Sequence, residues 1–143
     1  MARMLKLEGF DYMLDEIARA GGNIDSAVEK ACKAGAAELE ARLRAECSAS
    51  GVPASVTNGI RIKYRGGANL HKVQCGWEIG DYNPNNLSTG HKALFLNYGT
   101  PNRRKHGKVM ARGFIARAKR GARKKVKQAQ ADALDEIIKG LGK

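Results

Sequence analysis

The chain has 143 residues, of which 43% are hydrophobic and 28% are charged, and its formal net charge is +12. These values predict a single domain, 1–143, that buries a core. No apolar run approaches the roughly 20 residues of a membrane-spanning helix, and the N-terminal segment lacks the apolar stretch of a secretory signal. We therefore expect a protein that folds in the cytoplasm and makes no membrane contact.

The first third of the chain predicts a short strand followed by two helices. Residues 4–10 alternate between apolar and polar side chains, and Asp11 is suited to cap a helix that ends at the two glycines 21–22. Asn23 or Asp25 then caps a longer helix that ends near Cys47. Its apolar positions, three or four residues apart, are Ile24, Val28, Ala31, Gly35, Leu39 and Leu43.

The middle of the chain predicts an antiparallel sheet. Apolar residues alternate with polar ones over 60–64 and again over 73–79, and a glycine-rich turn at 65–69 separates the two runs. This is the pattern of a β-hairpin, with Trp77 on its inward face. The apolar run 93–98 is interpreted as a further strand. Together with the N-terminal strand, these segments give a sheet of about four strands.

The C-terminal part predicts one long helix. Its apolar positions recur at helical spacing, and we expect Phe114 at its start to be buried. The stripe consists of Phe114, Ala118, Ala122, Val126, Ala129, Ala133, Ile137 and Leu141. The predicted fold class is therefore α+β, with an antiparallel sheet of about four strands packed against a long helix from the N-terminal half and a long C-terminal helix.

The positive charge is concentrated in one segment. Between Arg103 and Lys127 there are twelve Lys and Arg and no acid, and the 14 remaining bases equal the 14 Asp and Glu of the chain in number. Like charges at this density repel one another, so the segment predicts a polyanionic or acidic partner. Both a nucleic acid and the acidic face of another protein subunit meet that description.

The basic segment comprises a loop and one side of the C-terminal helix. We expect a projecting loop over about 98–112 and a helix face that is open to DNA or to an acidic partner. The loop residues expected to contact a subunit or partner are Tyr98, Gly99, Thr100, Pro101, Arg103, Arg104, Lys105, Lys108 and Arg112. The helix residues are Lys119, Arg120, Arg123, Lys124 and Lys127.

Catalytic signals are poor. The chain contains neither a nucleophile motif nor a phosphate-binding glycine loop, and its histidines, His71, His91 and His106, show no metal-ligand spacing. Glu78 and Asp81 have the chemistry to bind a metal, but turn residues are the favoured interpretation. We therefore expect no catalytic residue, no metal site, no cofactor and no enzyme activity.

The cysteines are few and widely separated. Cys32, Cys47 and Cys75 are odd in number and form no CxxC pair. We interpret them as small buried apolar residues, and metal ligation or disulfide formation as the less favoured alternatives.

Three short motifs recur together in one protein family. They are 7–10 (Leu-Glu-Gly-Phe), 97–101 (Asn-Tyr-Gly-Thr-Pro) and 111–118 (Ala-Arg-Gly-Phe-Ile-Ala-Arg-Ala). In order and spacing the chain resembles the small neck and tail-completion proteins of long-tailed bacteriophages, which join head to tail. It differs from the usual pattern at Tyr98, where relatives have an acid, and at Gly113, where they have a proline.

The resemblance implies a structural virion protein, assembled in the host bacterial cytoplasm. It implies a homo-oligomeric ring, a hexamer or dodecamer, in the neck between the DNA-filled head and the tail. The implied partners are portal, adaptor or head-closure and tail-tube proteins, with non-specific contact to phage DNA as a further possibility. On this interpretation the loop contacts proteins, and the helix charges are more open to DNA.

A sequence-independent nucleic-acid-binding protein that uses the basic C-terminal segment is the alternative function. Phe114 is the one aromatic residue within the basic run, and it belongs to the apolar stripe. Base stacking is therefore not expected, and contact with DNA would be electrostatic.

Overall fold

The computed structural model describes residues 3–5, 10–67, 70–83, 85–100 and 109–141, with the backbone alone for 3–5, 67, 70 and 71. The chain combines helices and a sheet, as predicted. The elements are β1 (Arg3–Leu5), α1 (Asp11–Arg19), α2 (Ile24–Ala49), α3 (Ala54–Thr57), β2 (Arg61–Gly67), β3 (Leu70–Gly76), α4 (Thr89–Tyr98) and α5 (Phe114–Leu141).

Two long antiparallel helices, α2 and α5, form the centre of the fold. Ala31 of α2 shares a buried cluster with Leu134 of α5, and Gly35 lies against Gln130. A Cβ on Gly35 would lie 2.9 Å from Nε2 of Gln130, so the small residue permits the close approach of the helices.

Helix α2 lies between the sheet and α5 and is therefore buried on two sides. Cys32 and Ala36 pack with Val73 of β3, whereas Ala27 and Ala31 pack with Leu134 of α5. The first turns of α5 meet Trp77 at the end of the sheet, and its later turns pack on α2 and α1. The expectation that the stripe of α5 packs on the sheet is therefore wrong for most of its length.

The buried side of α5 follows an unbroken four-residue spacing. The predicted positions Phe114, Ala118, Ala122 and Val126 are buried, and the line continues through Gln130 and Leu134. Four residues exceed one helical turn, so this line drifts around the helix as α5 follows α2. The later predicted positions are therefore half-buried rather than buried: Ala129, Ala133, Ile137 and Leu141.

The sequence signals at the helix starts are partly confirmed. The Asn23 side chain accepts a hydrogen bond from N of Ser26 at 3.2 Å, so Asn23 rather than Asp25 caps α2. Asp11 is the first residue of α1 and not its cap, because Phe10 occupies the cap position without a side-chain hydrogen bond.

The predicted hairpin is confirmed, but its second strand ends at Gly76, so Trp77 lies beyond the strand and Ile79 is exposed. Strands β2 and β3 pair antiparallel, with Ile62 opposite Cys75, and β1 pairs antiparallel with the other edge of β3. The strand order is β1-β3-β2. The described residues thus form three strands rather than about four.

The missing strand is a helix. Residues 93–98 belong to α4, which Ser88 caps by accepting a hydrogen bond from N of His91 at 3.3 Å. The apolar run 93–96 does not alternate, and a short run of this kind is compatible with either helix or strand. The cap at Ser88 and the turn at Gly99 favour the helix, because they provide its start and its end.

The predicted aromatic core residues are both buried. Trp77 and Phe114 pack edge to face, with ring centroids 5.9 Å apart, and Nε1 of Trp77 donates to the Val56 carbonyl at 2.7 Å. The cysteines are buried thiols, as interpreted. Burial raises the pKa of Cys47 and of Cys75 to about 11.

Candidate partner-binding surface

Two hydrogen bonds join the ends of the predicted basic loop, and we call this junction the loop base. N of Thr100 donates to the Val109 carbonyl at 2.9 Å, and N of Val109 donates to Oγ1 of Thr100 at 3.1 Å. The segment 101–108 between them lies outside the described residues. Because its two ends are joined, the loop departs from and returns to one place on the domain.

Gly99 makes this closure possible. Its φ of 79° lies in the region that favours glycine, and a Cβ there would lie 2.7 Å from the Val109 carbonyl oxygen and 2.9 Å from N of Ala111. Any other residue would therefore combine backbone strain with a backbone clash. The glycine of the 97–101 motif thus has a structural role at the loop base.

Asn97 joins the end of α4 to the start of α5. It is 4% exposed, and its Oδ1 accepts a hydrogen bond from N of Ile115 at 3.0 Å. Its carbonyl accepts from N of Gly113, also at 3.0 Å. The sequence interpretation missed this residue because it placed 93–98 in a strand. No local sequence signal marks it, because 18 positions separate Asn97 from Ile115, whose N–H it caps.

Arg112 supports the loop base within its own chain. Its half-buried side chain donates through Nη1 to the carbonyls of Ser50 at 3.1 Å and Gly51 at 2.9 Å, where α2 ends. A cation is favourable at the carbonyls that end a helix. Arg112 therefore has an internal role, and its expected partner contact stays a prediction.

The remaining loop residues lie partly within and partly outside the described part of the chain. Tyr98 and Met110 flank the base and are 57% and 68% exposed. Outside the described residues lie Pro101, Arg103, Arg104, Lys105 and Lys108.

The five predicted basic residues of α5 are all exposed and form two rows. We call Lys119, Arg123 and Lys127 the flank row; Arg120 and Lys124 lie on the side of α5 that faces away from α2. None of the five forms an ion pair or hydrogen bond within the described part of the chain. Each like-charged pair four residues apart destabilises a helix by about 0.2–0.5 kcal/mol. Because they are exposed and pair with no described residue, these charges are candidates for contact with a partner.

On the opposite flank of α5, helix α2 supplies one carboxylate. Glu46 pairs with Arg42 at 2.9 Å and with Arg117 of α5 at 3.3 Å. Gly121 leaves room for Arg42, because a Cβ at this glycine would lie 2.7 Å from Nε of Arg42. Glu46 thus offsets one of the two arginines, and because Lys125 is also exposed on this flank, the flank keeps a positive charge.

The face of the sheet that is turned away from α2 carries a second basic surface. Arg61, Lys63 and Arg65 alternate along β2 with residues that pack on α2, and Lys72 of β3 is also exposed. Lys63 forms an ion pair with Glu78, and this hydrogen bond lowers the pKa of that carboxyl. In the sequence interpretation, Arg61 and Lys63 form the polar side of a strand and Arg65 belongs to the turn.

The residues considered for metal binding do not converge. Glu78 is paired with Lys63, and Nδ1 of His91 lies 2.8 Å from Oγ of Ser88. The side chain of His71 and the whole of His106 are outside the description. Among the described residues, no group of three or more His, Cys, Asp and Glu is placed to hold a metal ion.

No described helix is long and apolar enough to cross a membrane. Comparison of the chain with protein-family models, with curated proteins and with solved structures gave no match.

Proposed function

We propose that the chain is a structural virion protein of a tailed phage that forms a ring in the neck, as head–tail connector, tail-completion or tail-terminator protein. One observation carries the proposal. Two of the three motifs that resemble the neck family meet at the closed loop base, where Asn97 and Gly99 contact residues 109–115. The resemblance therefore involves residues that together form the closed loop base.

The closed loop base suits a protein that contacts other subunits through this loop. Four basic residues lie between Thr100 and Val109, whose hydrogen bonds hold the two ends together. Because both ends of this segment are held by the domain, less ordering entropy opposes a contact made by its side chains. We propose that Arg103, Arg104, Lys105 and Lys108 contact neighbouring subunits or the adjoining portal, head-closure and tail-tube proteins.

The experiment is complementation of a phage whose copy of the gene is interrupted. The variant Arg103→Glu/Arg104→Glu should leave a folded protein and yield heads and tails that do not join, scored by electron microscopy and plaque number. Arg65→Glu/Lys72→Glu makes the same change in net charge on the outer face of the sheet and should support joining. Joined, infectious particles at the parent level from the loop variant would contradict the proposal.

A second candidate function is sequence-independent nucleic-acid binding. The five exposed Lys and Arg side chains of α5 that pair with no described residue favour it. If five side chains neutralise five phosphates, the affinity for duplex DNA should fall about 500-fold between 50 and 200 mM salt. The variant Lys119→Glu/Arg123→Glu/Lys127→Glu should abolish most of this binding. Lost DNA binding together with normal head–tail joining in both this variant and the loop variant would favour this second function.

A further inference from the structure

The side of α5 that faces away from α2 carries an ordered set of side chains. We call every fourth residue from Arg120 to Glu136 the outer row. Each lies two positions after a buried residue, a rotation of about 200° around the helix, and each is exposed. Its members are Arg120, Lys124, Gln128, Asp132 and Glu136. Nε2 of Gln128 donates to Oδ1 of Asp132 at 2.7 Å, so these neighbours are aligned along the row.

The charges of the outer row are antisymmetric about Gln128. Two positive residues precede it and two negative residues follow it at equal spacing. Within one helix this order is unfavourable, because like charges stand four residues apart both before and after Gln128. Arg120, Lys124 and Glu136 form no ion pair or hydrogen bond within the described part of the chain. The order is therefore not explained by the stability of a single chain.

We propose that the outer row is the contact surface for a second copy of this chain, with the two α5 helices antiparallel and the two-fold axis at Gln128. Arg120 then faces Glu136 of the second copy, and Lys124 faces Asp132 of the second copy. A parallel pair in register would place like charges opposite one another. The antiparallel pair is thus the arrangement in which every charge of the row meets its opposite.

We expect this contact between two copies to be weak. The exposed large hydrophobic residues of the described chain all lie outside α5, so polar pairs dominate the contact. The net charge of +12 on each copy also opposes the approach of two copies. The proposal goes beyond the neck function and does not rest on it, because a two-fold contact closes at two copies, whereas a ring needs a different, head-to-tail surface. Either proposal can therefore fail alone.

Disulfide trapping tests the two-fold axis directly in the full-length protein. Gln128→Cys places a thiol at the axis, where it meets its own counterpart, and should give a covalent dimer under mild oxidation. Ala116→Cys is the matched control, because residue 116 is exposed, belongs to the same line of the helix and faces Gly140 of the second copy. The native cysteines are buried. We expect the Gln128→Cys variant to link at least about tenfold faster than the Ala116→Cys variant. Equal rates, or faster linking through residue 116, would overturn the proposal.

Charge exchange tests the pairing itself. In the Gln128→Cys background, Arg120→Glu/Lys124→Glu makes the row wholly acidic and Asp132→Lys/Glu136→Lys makes it wholly basic. Each variant alone should link at least about tenfold more slowly than its parent, because like charges now face each other. An equimolar mixture should regain the parent rate and contain mainly mixed dimers, identified by mass. Circular dichroism checks that both variants are folded. Parent-level linking by either variant alone, or no gain on mixing, would show that these residues do not face each other.

Discussion

The side chain of Asn97, in the last turn of α4, caps helix α5 by accepting a hydrogen bond from N of Ile115 at 3.0 Å. The segment between these residues includes the basic loop, so one buried amide joins the two sides of the loop base. Arg112 and Gly113 add backbone hydrogen bonds to the carbonyls of Leu96 and Asn97. The position of the loop is therefore coupled to the packing of the domain.

Removal of this cap should destabilise the domain. Asn97→Ala leaves the buried N–H of Ile115 without its acceptor, and we expect the free energy of unfolding to fall by about 1–3 kcal/mol. Urea unfolding measures the change. Asn86→Ala, at an exposed position, is the control and should change stability by less than about 0.5 kcal/mol. Equal stability of the two variants would contradict the capping role.

Substitutions at two glycines allow the cost of backbone strain to be measured apart from the cost of a steric clash. Gly21 and Gly99 have nearly the same φ, 81° and 79°, but a Cβ at Gly21 meets nothing within 4 Å, whereas one at Gly99 meets the Val109 carbonyl oxygen at 2.7 Å. Gly21→Ala should cost about 1–2 kcal/mol from strain alone. Gly99→Ala should cost clearly more and should speed hydrogen exchange at N of Thr100. If the two variants have equal stability, the loop base is not closed as described.

Phe114 should contribute a large share of the core stability. It is fully buried against Trp77, so Phe114→Ala should lower the free energy of unfolding by about 3–5 kcal/mol and alter Trp77 fluorescence. Met110→Ala, four residues earlier and 68% exposed, is the control and should have little effect. A Phe114→Ala chain that unfolds like its parent would place this side chain outside the core.

The buried thiols predict a loss of stability in alkali. The pKa of Cys75 is raised from 9.0 to about 11 in the folded chain, because burial disfavours the thiolate. Above pH 9 the unfolded chain ionises while the folded chain does not, so this residue lowers the free energy of unfolding by about 1.4 kcal/mol per pH unit up to pH 11. Below pH 9 both states keep the neutral thiol, and the effect vanishes.

Urea unfolding in reductant between pH 8 and 11 measures this effect. The difference in stability between the parent and Cys75→Ala should shrink as the pH rises, because the variant lacks the titrating thiol. Val73→Ala, a buried apolar change on the same strand, is the control, and its difference from the parent should not depend on pH in this way. A parallel response of the two variants would mean that the thiol of residue 75 titrates alike in both states.

The elements predicted well are those with strong local periodicity. The four-residue spacing of apolar residues marked α2 and α5, and the alternation on both sides of residues 65–69 marked the hairpin. The burial of Trp77 and Phe114 followed from the same patterns. The run 93–98 failed because a short apolar segment has no decisive period, and its helical state depends on the cap at Ser88 and on packing against segment 78–79.

For the candidate surface, the sequence by itself determined where the positive charge lies, since the acid-free run is a fact of composition. The tertiary structure decided which charges remain available. Arg112 and Arg117 look like their basic neighbours in the sequence, yet they bind the end of α2 more than 60 residues earlier in the chain. Helical and strand periods arise from neighbours a few residues apart, whereas ion pairing depends on which distant elements pack together, and that is decided by the folded chain.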